Sequence, residues 1–195
     1  MRVVSVAALS LCLAGAGCNA RNDKKIDDPV AFDAKEAAYV LKQGKTTIHG
    51  HAFVINNVGR AQNAAGQDVF LVPQTAYSKQ RIEAIFDSGK SVQAREVPKL
   101  PSDPDYLKYT RRWKTDTNGK FTFDNVAPGE YFVVTQMSWT KDDTSKSDDA
   151  LKDAVKNAFK DDKSSLVGAA MYEKVTVSGK EKAPIDVVVS GGIGG

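Results

Sequence analysis

Chemistry in this chain would have to start from very few residues. Histidine occurs only as His49 and His51. On a strand, residues two apart point to one face, with Cβ atoms about 7 Å apart, because each residue advances the chain by about 3.3 Å. Such a pair could chelate one metal ion. A structural zinc takes four ligands, however, and no spacing elsewhere in the chain marks the carboxylates that would complete the set. The expected reading is two solvent-facing histidines on an edge strand. The alternative is a metal-dependent enzyme centred on His49 and His51. A catalytic triad would need one of them as its base, and no nucleophile stands near either. The chain has no G-x-S-x-G elbow, no P-loop and no G-x-G-x-x-G fingerprint. Neither catalysis nor a cofactor is expected.

Binding chemistry has more to work with. Tyr106, Tyr109, Arg111, Arg112, Trp113 and Trp139 are the richest aromatic and basic set. If exposed, these rings could stack on sugars or grip a peptide, because flat faces give contact area at small entropic cost. Tyr106, Tyr109, Arg112, Trp113 and Trp139 are therefore the candidate ligand-binding residues. The competing reading makes Trp113 and Trp139 core residues of neighbouring strands. Asp116, Asn118 and Asp124 do not fit a calcium loop, which needs a twelve-residue run ending in Glu. Asp116 is instead expected to cap a turn through its own carboxylate.

Both cysteines lie at the N-terminus, in MRVVSVAALSLCLAGAGCNA. The apolar stretch from Val3 to Ala16 is short of the roughly 20 residues that span a bilayer. It is the right length for a secretory signal, whose apolar core needs about 7–15. Gly15-Ala16-Gly17 places small residues directly before Cys18, so the segment resembles a bacterial lipoprotein signal. Gly15 stands where such signals usually carry Leu. The resemblance implies removal of residues 1–17, lipidation of Cys18 and attachment to a membrane through that lipid. Asn19, rather than Asp, implies the outer membrane by the sorting rule for such lipoproteins. Cys12 would leave with the signal, so no disulfide could form within the mature chain.

The bulk composition narrows the rest. The chain has 195 residues, 42% of them apolar and 26% charged, with a net charge of +3. These are ordinary globular values, and they exclude collagen, a long coiled coil and wholesale disorder. So small a net charge gives no argument for nucleic acid as a partner. Envelope proteins or a polysaccharide are the expected partners, and the bacterial cell envelope is the expected location.

These residues must be positioned by a β domain. Residues 18–45 read as a polar tether followed by a short helix over Ala34–Gln43, with Asp33 and Glu36 at capping-box spacing. Thr46–Ile55 and Asp68–Val72 read as strands. Ser78–Phe86 reads as a helix capped by Ser78 and ended by Gly89. Lys90–Asp105 is a Pro-containing loop without periodicity. Asn118-Gly119 is the strongest hairpin signal, since both residues tolerate positive φ. Tyr131–Gln136 is nearly all apolar, as a strand buried on both faces would be. Leu151, Ala154, Val155, Ala158 and Phe159 have the spacing of an amphipathic helix. Met171–Val177 and Ile185–Val189 close the strand pattern, and residues 191–195 are expected to be a flexible tail.

The run Asp116-x-x-Gly119-x-Phe121-x-Phe123-x-x-Val126-x-Pro128-Gly129-x-Tyr131 resembles the hallmark of carboxypeptidase regulatory-like domains. The strands around Gly50–Val54 and Val69–Pro73, and the closing pair Val175–Val177 and Val187–Val189, fit the same pattern. The resemblance implies an antiparallel Greek-key β-sandwich of the transthyretin-like type over residues 46–190. Helical insertions would fall at 78–109 and 141–165. It also implies an accessory or ligand-binding module with no peptidase site.

Overall fold

In a computed structural model, the protein is described at residues 26, 28–56, 59–140 and 166–192. Cys18 and the apolar pattern of 151–159 lie outside these residues. The described chain is mainly β, folded as a two-sheet sandwich with short helical insertions.

Sheet A is built around β1 (Gln43–Ile55). One edge of β1 carries β6 (Lys120–Val126) beside Gln43–His51 and β2 (Ala61–Asn63) beside Phe53–Ile55, both antiparallel. The other edge carries β9 (Ile185–Gly192), which runs parallel, with Ile48 beside Ile185 and Ile55 beside Gly192. Sheet B contains β3 (Asp68–Pro73), β4 (Ser91–Gln93), β5 (Arg111–Lys114), β7 (Gly129–Thr140) and β8 (Leu166–Val177). Their order is β4-β8-β7-β3-β5, antiparallel throughout.

Period-two alternation builds the core between the sheets. Ile48, Ala52 and Val54 of β1, Phe121 and Phe123 of β6, and Val187 and Val189 of β9 meet Val69, Leu71, Tyr131, Val133, Met137 and Met171 of sheet B. Tyr131 is fully buried, and its hydroxyl donates to Ala127 O at 2.7 Å. That bond meets the demand that a buried polar group find a partner.

Sheet B is covered on its second face as well. Phe70, Val72, Phe132, Val134, Ala170 and Tyr172 pack against Ile82, Ile85 and Phe86 of α2 (Ala76–Phe86) and against Val92, Val97 and Tyr106. This is why β7 is apolar on both sides. The cap of α2 is Thr75 rather than Ser78. Thr75 Oγ1 accepts from Ser78 N at 3.1 Å, and Ser78 Oγ accepts from Thr75 N at 2.9 Å. Ser78 is thus the third helical residue of a capping box.

Several other expectations change. The first helical segment is α1 (Ala34–Ala37) running into a 3-10 turn over Ala38–Leu41, and β1 starts at Gln43. Ser91–Gln93, inside the expected loop, is a strand paired with β8. Gly191 and Gly192 belong to β9, and Gly191 packs on Ser91 and Met171. The Asn118-Gly119 turn does not make a hairpin: β5 pairs in sheet B and β6 in sheet A, so the turn carries the chain between sheets. Only Gly119 has positive φ there, at 73°. Asp116 does cap the turn, its Oδ1 accepting from Asn118 N and Lys120 N, both at 2.8 Å.

The β8–β9 turn is fastened to β1 by Glu181. Its carboxylate accepts from Ser178 Oγ and Ser178 N, each at 2.6 Å, and from Thr46 Oγ1 at 2.7 Å. These bonds, led by that of the Ser178 hydroxyl, lower its pKa from 4.5 to about 2. The ionised form is favoured in the folded chain, so the fastening contributes fully above pH 4.5. It is lost as the pH falls toward 2. Melting temperature should therefore decline across that window in the native chain, and Glu181→Gln should flatten the decline.

Candidate functional site

Tyr106 and Tyr109 lie in a 3-10 turn that turns inward rather than out. The ring of Phe32, just before the helix cap Asp33, inserts between three tyrosines. Its centroid is 5.5 Å from Tyr77, 6.1 Å from Tyr106 and 5.5 Å from Tyr109. The Arg81 guanidinium lies 5.5 Å from the Tyr77 centroid and 5.4 Å from that of Tyr106. Arg81 also donates to Pro101 O, and Tyr77 Oη accepts from Asp103 N at 2.9 Å. Burial pushes the Tyr106 phenol up to about 12. These rings hold the chain to itself. Sequence reasoning missed Phe32, Tyr77 and Arg81, although Tyr77 and Arg81 have the i, i+4 spacing of helix neighbours.

Tyr39 is held in a similar way. Its hydroxyl donates to Glu130 O and accepts from Gln74 N at 2.9 Å, and burial raises its pKa to about 12. In both residues the folded state favours the neutral phenol. An unfolded phenol ionises near 10, so stability should fall as the pH rises from 10 to 12. Absorbance at the tyrosinate band should show these two phenols titrating late in the folded chain.

Arg112 and Trp113 lie on β5, the edge strand of sheet B. Arg112 Nη2 is 2.7 Å from Asp68 Oδ2, a surface pair that contributes about 0–1 kcal/mol. Arg111 reaches across to sheet A, donating to Asp124 O and Asn125 O, with its guanidinium 5.9 Å from the Phe123 centroid. β5 therefore runs along the β6 edge of sheet A. Trp113, on the same side of its strand as Arg111, is 45% exposed. Trp139 belongs to β7, and its side chain lies outside the described residues.

The outer face of sheet A carries the histidines. They share one face, as their spacing requires, but β1 is an interior strand with neighbours on both edges, not an edge strand. His49 is exposed between Thr122 of β6 and Asp186 of β9. His51 Nε2 is 2.9 Å from Asn63 Oδ1, and its ring centroid is 5.0 Å from that of Phe53. Val188, beside His51 on β9, is 52% exposed. Thr47 Oγ1 donates to Asp124 Oδ1 at 2.9 Å. Among the described residues, no group of three His, Cys, Asp or Glu side chains converges as metal ligands.

This face mixes polar and apolar groups, and Trp113 is exposed on β5, the neighbouring edge strand of sheet B. It offers the ring pair His51–Phe53, hydroxyls on Thr47 and Thr122, the Asn63 amide and the carboxylates Asp124 and Asp186. Such groups stack on and hydrogen-bond to a ligand rich in hydroxyls. Its cross-strand partners come from three separate strands.

No family model matches the chain, and no curated protein matches it. Among solved structures, a proposed carbohydrate-binding protein from Pseudomonas aeruginosa is similar at a TM-score of 0.62 and 26% identity. The match covers 84% of this chain and 99% of that one. A 9R-lipoxygenase from Cyanothece matches at a TM-score of 0.27 and 10% identity, over 85% of this chain and 18% of that one, a likeness that carries no argument.

Proposed function

We propose that this chain is a non-catalytic, lipid-anchored module of the bacterial envelope. Its ligand is a polysaccharide, held on the outer face of sheet A and at Trp113 on the neighbouring edge strand of sheet B. The observation that carries the reading is an asymmetry between the sheets. The outer face of sheet B is closed by α2 and the segment after it. The outer face of sheet A has His49, Val188 and Asp186 exposed on it. Sugars present C–H faces that stack on rings and hydroxyls that both donate and accept. Rings set among amides, hydroxyls and carboxylates meet both demands. The Pseudomonas protein supports the same ligand class. The resemblance to carboxypeptidase regulatory-like domains, which carry no peptidase site, agrees with a binding role.

The anchor would be the lipid on Cys18. Intact mass of the chain from the membrane fraction, beside a Cys18→Ala variant, reads it directly. Calorimetric titration of the full chain against neutral and acidic soluble polysaccharides and peptidoglycan fragments tests the ligand. Saturable binding to one of them is expected. Absence of heat across the whole panel would overturn the ligand class. Metal content that drops on replacing both His49 and His51 by alanine would favour the metal-dependent alternative instead.

A further inference from the structure

The segment between β3 and β5 also fixes where the N-terminal chain joins the domain. Nine residues, or ten Cα–Cα steps, separate Cys18 from Asp28. From Asp28 onward the chain is fastened to α2 and the Tyr106–Tyr109 turn. Gln80 Nε2 donates to Asp28 O at 3.0 Å, and Gln80 Oε1 accepts from Val30 N at 2.8 Å. Phe32 then enters the cage of Tyr77, Tyr106 and Tyr109. The chain leaves the domain on the α2 side, opposite the outer face of sheet A.

We infer that the α2 side is the surface that rests against the bilayer, and that the Phe32 seat turns the outer face of sheet A away from it. The inference rests on the Cys18 anchor of the proposed function. Ten Cα–Cα steps of random chain span about 16–19 Å root-mean-square, and no chain of that length exceeds about 35 Å. Stacked layers lie about 10 Å apart, so sheet A stands about 20 Å behind the α2 layer. Laying sheet A on the membrane would stretch the tether around the side of the domain to near its limit. The α2 side also suits a headgroup surface. Val30, two residues before Phe32, is 38% exposed, and Leu107, next to Tyr106, is 65% exposed. Lys79 and Lys99 are exposed on α2 and the segment after it. An aliphatic pair with lysines nearby can settle at an anionic interface, where the lysines are attracted to the headgroups. A polysaccharide held on sheet A would then be held off the membrane, and the protein would link one to the other.

Native lysines report the orientation. The full chain, anchored in vesicles that contain a lipid with an amine-reactive succinimidyl ester headgroup, is digested and the adducts are located by mass spectrometry. Yields are normalised to labelling of the lipid-free chain by a soluble ester. Lys79 and Lys99 should carry about fivefold more adduct than Lys45 and Lys120 of sheet A, because a short spacer cannot cover the roughly 20 Å between layers. Phe32→Ala should reduce that bias toward equality. Equal labelling of both groups in the native sequence, or an excess on Lys120, overturns the orientation. An unchanged bias in Phe32→Ala overturns the role of the seat. If the chain from membranes carries no lipid, the anchor itself has failed. Coupling Cys18 of the chain from residue 18 onward to a maleimide-headgroup lipid then supplies the attachment, and the same lysine comparison still decides the orientation.

Discussion

Alanine at Gly50 is expected to destabilise the fold by about 1–3 kcal/mol, the usual cost of overfilling a packed core. For a domain of this size that is a fall of roughly 2–12 °C in melting temperature. A Cβ on Gly50 would stand 1.9 Å from Phe121 Cζ and 2.1 Å from its Cε2. The two residues are direct cross-strand partners on β1 and β6, and the Phe121 ring lies over the glycine. The ring has little room to swing: it is 3% exposed and packs edge-on against Phe123 at 5.8 Å. Shortening the ring should therefore relieve the clash. Gly50→Ala combined with Phe121→Leu should be less destabilised than the sum of the two single variants. Gly44 supplies the contrast. A Cβ there would stand 1.8 Å from the carbonyl oxygen of Val126, which is main chain and cannot be trimmed. Gly44→Ala should be at least as damaging, and its effect should simply add to that of Phe121→Leu. Thermal melts of these five variants decide the matter. A Gly50→Ala chain that melts with the native one would mean that the ring moves aside freely.

The sandwich was legible because its strands are half-buried in a regular way. Phe121 and Phe123, and Val187 and Val189, repeat at period two and face the core together. Tyr131–Thr135 lacks alternation because both faces of β7 are covered. What failed was information that local sequence does not hold. Asn118-Gly119 signals a tight turn correctly, since Gly119 adopts positive φ. Whether the flanking strands then pair is decided by which sheet each joins. Gly119 also lies close under Ala52 O, where a Cβ would come within 2.4 Å. A third constraint on the turn was therefore long-range. β4 escaped notice because a three-residue strand is too short for a period to show.

The binding face was legible only in part. Strand spacing put His49 and His51 on one side of β1, and that much is backbone geometry. Their neighbours are fixed by register instead. Asp186 reaches His49 through the parallel pairing of the last strand with β1, and Asn63 reaches His51 through β2. No pattern in the sequence announces either meeting. Tyr106 shows the opposite failure. Its composition marks it as a binding residue beside Trp113, yet the fold sends the two to different sides, Tyr106 onto Phe32 and Trp113 to the β6 edge. The segment between α2 and β5 has no periodicity from which its path could be read.

That separation makes the two aromatic groups distinguishable by substitution. Trp113→Ala should weaken binding of the best polysaccharide of the panel by about 2 kcal/mol, roughly thirtyfold in Kd, as removal of an aromatic anchor does. Its cost in stability should stay under about 1 kcal/mol, because the indole is 45% exposed and no buried polar group depends on it. Tyr106→Ala should do the reverse. It removes a ring packed edge-on against Tyr77, 5.1 Å away, and beneath Arg81, so the chain should melt earlier. Polysaccharide affinity, measured below the new melting transition, should be unchanged, because the cage lies on the α2 side and the ligand on the outer face of sheet A. Phe53→Ala provides the third point. Its ring lies 5.0 Å from His51 in the middle of the proposed face, so its loss should weaken binding as Trp113→Ala does. Calorimetry and thermal melts on the three variants are sufficient. Should Tyr106→Ala abolish binding while Trp113→Ala and Phe53→Ala leave it intact, the ligand belongs to the α2 side. The outer face of sheet A would then lose its assigned role, and a surface resting on the bilayer could not also hold the polysaccharide.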